Sequence, residues 1–167
     1  MMIGNWIKAF QAGHLGFRMD EVMTGWHEFE PGRGPAGQLP FEFRVAWGPD
    51  DVRAWASPGS PTFLRQGLEG TVSVGGLCEN APCKGTLELR YFSDHRLRYD
   101  FTFEAGGKTW RYVAEKVNIQ PWNLPVSHTT AFGVLTEAKT GKLESRSVTH
   151  FRLRTSPAFL ASFRFVA

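Results

Sequence analysis

The feature that most constrains this chain is a series of segments written in period two. Leu97, Tyr99, Phe101 and Phe103 alternate with Arg98, Asp100 and Thr102; beyond Gly106-Gly107, Trp110, Tyr112 and Ala114 alternate with Arg111, Val113 and Glu115. Successive side chains of a strand point to opposite faces, so each segment has an apolar face to bury and a wet face to expose. The glycine pair between them marks a hairpin turn. Phe41, Phe43, Val45 and Trp47 repeat the pattern against Glu42, Arg44 and Ala46, as do Leu87, Leu89 and Tyr91 against Glu88 and Arg90. Val72 and Val74 mark another strand, His128 to Thr136 a further one, and Ser145 to Leu153, after the Thr140-Gly141 turn, the last. At least seven strands are predicted, mostly joined by short turns.

Long sequential hairpins favour an up-and-down barrel over a Greek-key sandwich. The predicted fold is therefore mainly β: an antiparallel up-and-down barrel of calycin or lipocalin-like architecture, with short N-terminal and C-terminal helices. Trp6, Ile7 and Phe10 stand at helical spacing before the Gly13 to Gly16 break, and Ser156-Pro157 reads as an N-cap followed by proline at the first helical position. Pro49 to Asp51 opens a short central helix through about Trp55. Residues 1–20 are read as an amphipathic extension and 21–167 as one β-barrel domain, a length that buries a sizeable core without a staple.

Charge excludes some partners. Nineteen basic against 16 acidic side chains leave a surplus of three, too little to imply nucleic acid. The basic excess gathers toward the end, where Lys142, Arg146, Arg152, Arg154 and Arg164 face Glu144 alone; this suits an anionic partner or a solvated sheet face. No run of 18 apolar residues exists, and Met1 to Phe10 does not resemble a secretory signal, so a cytoplasmic protein is expected. A literal G-x-G-x-x-G at Gly32, Gly34 and Gly37 is set aside, because a phosphate-binding turn follows a buried strand and opens a helix, whereas here a strand follows. No cofactor and no metal are expected; Cys78 and Cys83, read as lying across a turn, suit a small disulfide loop or two reduced thiols equally.

The 14 Phe and six Trp exceed what a plain sandwich of this length needs, and aromatic side chains line pockets as well as cores. The expected pocket lining is Trp47, Phe103, Trp110, Tyr112, Lys116, Trp122 and His128. Lys116 keeps the phase of Trp110, Tyr112 and Ala114. If these face inward so does the lysine, where it could meet a carboxylate or phenolate, or form an imine; alternatively its ammonium reaches water from a strand end. His128 shares its phase with Thr130 and Phe132 and could orient a ligand or act as a base. Ser127 points to the opposite face, and no G-x-S-x-G occurs, so no serine nucleophile is predicted.

Met23-Thr24-Gly25, the Tyr99-x-Phe101-x-Phe103 strand before a glycine turn, Lys116, Trp122, Thr129-Thr130 and the Phe151-to-Phe163 tail together resemble an accessory β domain that accompanies cholesterol-oxidase-like flavoproteins of the glucose–methanol–choline type. The similarity spans about residues 23 to 165. It implies a non-catalytic companion to steroid or lipid chemistry and carries over no catalytic residue, since the flavin-binding domain is absent from this sequence. Three readings follow. The first is binding of a lipophilic small molecule, steroid or fatty-acid-like, as carrier, sensor or accessory to lipid metabolism. The second is an isomerase or hydrolase using Lys116 or His128 in the same cavity. The third is an interaction module that self-associates or docks on a partner through the Trp6–Phe10 helix.

Overall fold

The structure is a computed structural model that describes residues 2–119, 129–151 and 156–167. Eight strands run in chain order around a closed antiparallel barrel: β1 (Gly16–Phe29), β2 (Leu39–Gly48), β3 (Arg65–Val74), β4 (Cys78–Arg90), β5 (Arg96–Ala105), β6 (Lys108–Lys116), β7 (Thr130–Glu137) and β8 (Leu143–Phe151). Each strand pairs with the next, and β8 returns to β1, where Met23 sits beside Phe151 and Phe29 beside Ser145. A short β9 (Arg164–Val166) extends the sheet by pairing with Gly16–Arg18 of β1. The helices are α1 (Met2–Gln11), α2 (Val52–Ala56) and α3 (Ser156–Ala161). Among the described residues no helix is long and apolar enough to cross a membrane.

The barrel, its antiparallel order and its terminal helices agree with the sequence, with one large exception. Its longest strand, β1, was not among those predicted, and it begins at Gly16, inside the segment read as an extension. The reason is its inward face. Glu21, Met23 and His27 are buried with Gly25 between them in the same phase, while Val22 and Trp26 are only half-buried on the other side. A glutamate, a glycine and a histidine interrupt the inner set, and Val22 and Trp26 stand on the outer one, so over residues 21–27 periodicity misses the strand.

The cysteine placement is also corrected. Both lie on β4 and are unbonded; the hairpin turn precedes them. Pro82 between them pairs only with Thr71 of β3, because β4 meets β5 from Cys83 onward, so its missing N–H interrupts no second ladder.

Inward side chains form a continuous core. At the waist, Phe41, Phe43, Tyr99, Phe101 and Tyr112 are almost completely buried and interdigitate, with ring centroids 4.8 Å apart for Phe41–Tyr112, 5.3 Å for Phe43–Tyr99 and 5.0 Å for Phe101–Tyr112. Gly133 makes room for this: a Cβ there would lie 2.3 Å from the Tyr112 hydroxyl oxygen. The middle of the barrel is thus filled by rings, and Tyr112, expected to line a pocket, is packed among them. Space remains at the end where β4 and β6 finish and β5 begins.

Candidate functional site at one end of the barrel

That end is organised by a charge on β1. The Glu21 carboxylate projects inward across the barrel, and three donors converge on it. Lys116 Nζ donates to Oε1 at 2.9 Å, the Tyr99 hydroxyl donates to Oε1 at 2.9 Å, and Trp47 Nε1–H donates to Oε2 at 3.1 Å. Four strands supply these groups, so the cluster braces one wall of the barrel against the opposite one. Glu21 and Lys116 are 5% and 3% exposed. Removing two charges from water costs several kcal/mol each, and only direct pairing with further hydrogen bonds offsets this. The pairing is present, and the remaining faces of the ammonium look onto aromatic rings, Tyr99 at 5.3 Å and Phe151 at 5.9 Å from the ring centroids.

The phenols nearby are held neutral. Burial, and then the negative charge of Glu21, push the Tyr99 hydroxyl well above its ordinary range. The same two causes push Tyr91 up to about 12. Tyr99 therefore remains a hydrogen-bond donor to the carboxylate at any physiological pH.

Against this polar floor lies a cavity of about 270 Å³, walled by Leu89, Tyr91, Leu97, Phe151 and Phe159 together with Trp47, Glu21 and Lys116. Phe159 comes from α3, whose ring packs on Phe151 at 5.2 Å and faces Trp47 at 6.4 Å. The C-terminal helix thus supplies part of the wall. A larger hollow of about 510 Å³ lies outside the sheet over Glu69, Pro82, Lys84, Thr102 and Glu104. It is a shallow depression among mostly outward side chains, and no buried ion pair opens onto it.

The predicted lining is divided by the structure. Trp47 and Lys116 meet at the cavity, and Lys116 does face inward. Tyr112 belongs to the solid waist, where its hydroxyl lies 2.8 Å from Ser147 Oγ. Phe103 and Trp110 are buried toward the far end, and Trp110 Nε1–H donates to the Ala105 carbonyl. Trp122 and His128 lie outside the described residues. Sequence reasoning missed Glu21, the partner that gives Lys116 its meaning, and the Leu89–Tyr91–Leu97 wall. A charged residue in phase with Met23 and His27 was the available signal, hidden because β1 itself was unread.

The far end holds a second buried polar group, of another kind. His27 is fully buried, its Nε2 lies 2.9 Å from the Gly75 carbonyl, and its ring packs edge-on against Phe29 and Phe41. His27 Nδ1 and Ser145 Oγ are buried without a hydrogen-bond partner among the described residues. Burial lowers the His27 pKa, opposed in part by the Gly75 hydrogen bond. Among the described residues no three His, Cys, Asp or Glu side chains gather as metal ligands would.

The architecture is thus that of a calycin-like antiparallel barrel. Comparison with known protein families, curated proteins and solved structures finds no match, and so adds nothing to the resemblance to flavoprotein companion domains.

Proposed function

We propose that the protein binds a lipophilic small molecule at the Glu21–Lys116 end of its barrel, as a carrier, a sensor or a companion to lipid chemistry. One observation carries this reading: an apolar, aromatic-walled cavity whose floor is a fully buried, hydrogen-bonded ion pair. Apolar walls with a few convergent polar groups are the usual composition of a ligand pocket. The size narrows the guest. Pockets for drug-sized molecules run from about 300 Å³ upward, so a cavity of about 270 Å³ suits a slim chain or a single ring better than a fused steroid skeleton.

Trp47 supplies the test, since its indole lines the cavity. Titration with medium-chain aliphatic compounds, fatty acids and steroids is expected to change tryptophan emission for the slim ligands, and Leu97→Trp, which fills the cavity, is expected to abolish the calorimetric signal. No binding by any member of the panel would overturn the proposal.

A catalytic use of the same cavity is the second reading. It is favoured by one specific observation, an inward lysine with a carboxylate at hydrogen-bond distance beside the cavity. Held as an ion pair, neither group is a free base. An isomerase or hydrolase therefore requires a proton to pass from Lys116 to Glu21 first. Absence of turnover on esters and enones that bind the cavity would exclude this reading, and turnover that survives Lys116→Met would exclude Lys116 from it.

A further inference from the structure

Resting on the proposed binding reading, we infer that the guest is electrically neutral and carries a hydroxyl head group, so that the site takes lipophilic alcohols and rejects fatty-acid anions. The argument begins with the charge balance of the floor. Among the described residues Glu21 and Lys116 are the charged side chains that line the cavity, and at 2.9 Å each neutralises the other. A site that captures carboxylates needs a cation without a resident anion. Here an incoming carboxylate reaching Lys116 would come to rest a few ångströms from the Glu21 carboxylate, among hydrocarbon and ring walls. At an effective dielectric constant of about 20 the repulsion from Glu21 at about 5 Å cancels more than half of the attraction to Lys116 at about 3 Å, and what is left does not repay the desolvation of the carboxylate. An ammonium head group meets the mirror-image penalty against Lys116.

Among the described residues the arginines beside the walls in sequence do not supply a second cation: Arg90 pairs with Asp94 at 2.7 Å, Arg96 with Glu115 at 2.7 Å and Arg98 with Asp100 at 3.5 Å. Hydrogen-bonding capacity then selects among neutral heads. An ammonium has three N–H donors, and a carboxylate about four acceptor sites. Among the described residues Lys116 Nζ donates one hydrogen bond, to Glu21, and the carboxylate accepts three. The floor retains both a donor and an acceptor. A hydroxyl can use both at once, by accepting from Lys116 and donating to Glu21. A ketone can use only the donor, and a hydrocarbon neither.

The experiment is isothermal titration of the full chain near neutral pH with decanol, 2-decanone, decanoate and decylamine, repeated on Glu21→Gln. For the unaltered protein decanol is expected to bind more tightly than 2-decanone, and at least about tenfold more tightly than decanoate or decylamine. Glu21→Gln leaves Lys116 as an unpaired cation, so decanoate is expected to gain about a hundredfold and to overtake decanol. Decanoate or decylamine binding the unaltered protein as tightly as decanol would overturn the inference while leaving the cavity reading intact. Binding by none of the four would remove the cavity reading, and the inference with it. The ranking on the unaltered protein decides the matter even if Glu21→Gln fails to fold.

Discussion

The two ends of this barrel bury polar groups in opposite ways. At one end a carboxylate and an ammonium are matched to each other and to two ring donors, and a cavity opens beside them. At the other a neutral imidazole and the Ser145 hydroxyl sit in close-packed surroundings with atoms left unmatched. The ion-pair cluster is costly to assemble but matched within itself, although Gln66 Nε2 and Asp94 Oδ1 are buried unmatched toward the same end; the His27 group is cheaper and unmatched at its own centre. A matched cluster beside open space is the reason a guest is proposed at the first end and not at the second.

The comparison can be broken most forcefully at the ion pair. Lys116→Met leaves Glu21 buried without its counter-charge and is expected to lower stability by about 3–5 kcal/mol in urea unfolding, whereas the double change Glu21→Gln with Lys116→Met recovers most of that loss. A single variant no less stable than the double one would show that the pair is not buried as described. Next in size is the waist separating the two ends. Gly133→Ala drives a methyl into the Tyr112 ring and is expected to cost about 1–3 kcal/mol, part of it regained by Tyr112→Leu.

The far end should respond to acid. The His27 pKa is lowered by folding, so its contribution is complete above the unfolded value of about 6.5 and is lost as the pH falls from there through the folded value, because the unfolded chain takes up the proton first. The melting temperature is expected to drop between about pH 7 and about pH 5 by more than in His27→Leu, a window above the ordinary carboxylate range. Equal drops would place the sensitivity elsewhere. The smallest effect concerns two thiols on one strand. Burial pushes Cys83 up to about 12, while Cys78 is raised less and is partly exposed. Maleimide is expected to label Cys78 first, with Cys83 following only on unfolding.

What the sequence disclosed and what it hid follow the same division. The β5–β6 hairpin was legible because its inner set, Leu97 to Phe103 and Trp110 to Ala114, is apolar and its outer set is charged or polar apart from Val113. Lys116 was legible as inward by phase alone. Its partner was not, because Glu21 lies 95 residues away in the chain and on a strand whose inner face is itself interrupted by polar residues and glycine. Local pattern reports which way a side chain points; it does not report which distant side chain it meets. The cavity wall from Phe159 has the same character, since only the folded chain brings α3 over the barrel end.

Closure of the sheet has a consequence for how the molecule comes into being. β1 is the first strand to be made, and its partner β8 is the last of the barrel, so the seam between Met23 and Phe151 joins nearly opposite ends of the chain. Hairpins β2–β3 through β7–β8 need only their immediate neighbours, but the seam must wait until β8 has been made. Contacts so distant in sequence slow folding, and an unpaired strand edge is open to the wrong chain until its own partner arrives. Until then Glu21 on one bank of the seam remains in water, and the step that seals the barrel is also the step that draws its charge inside.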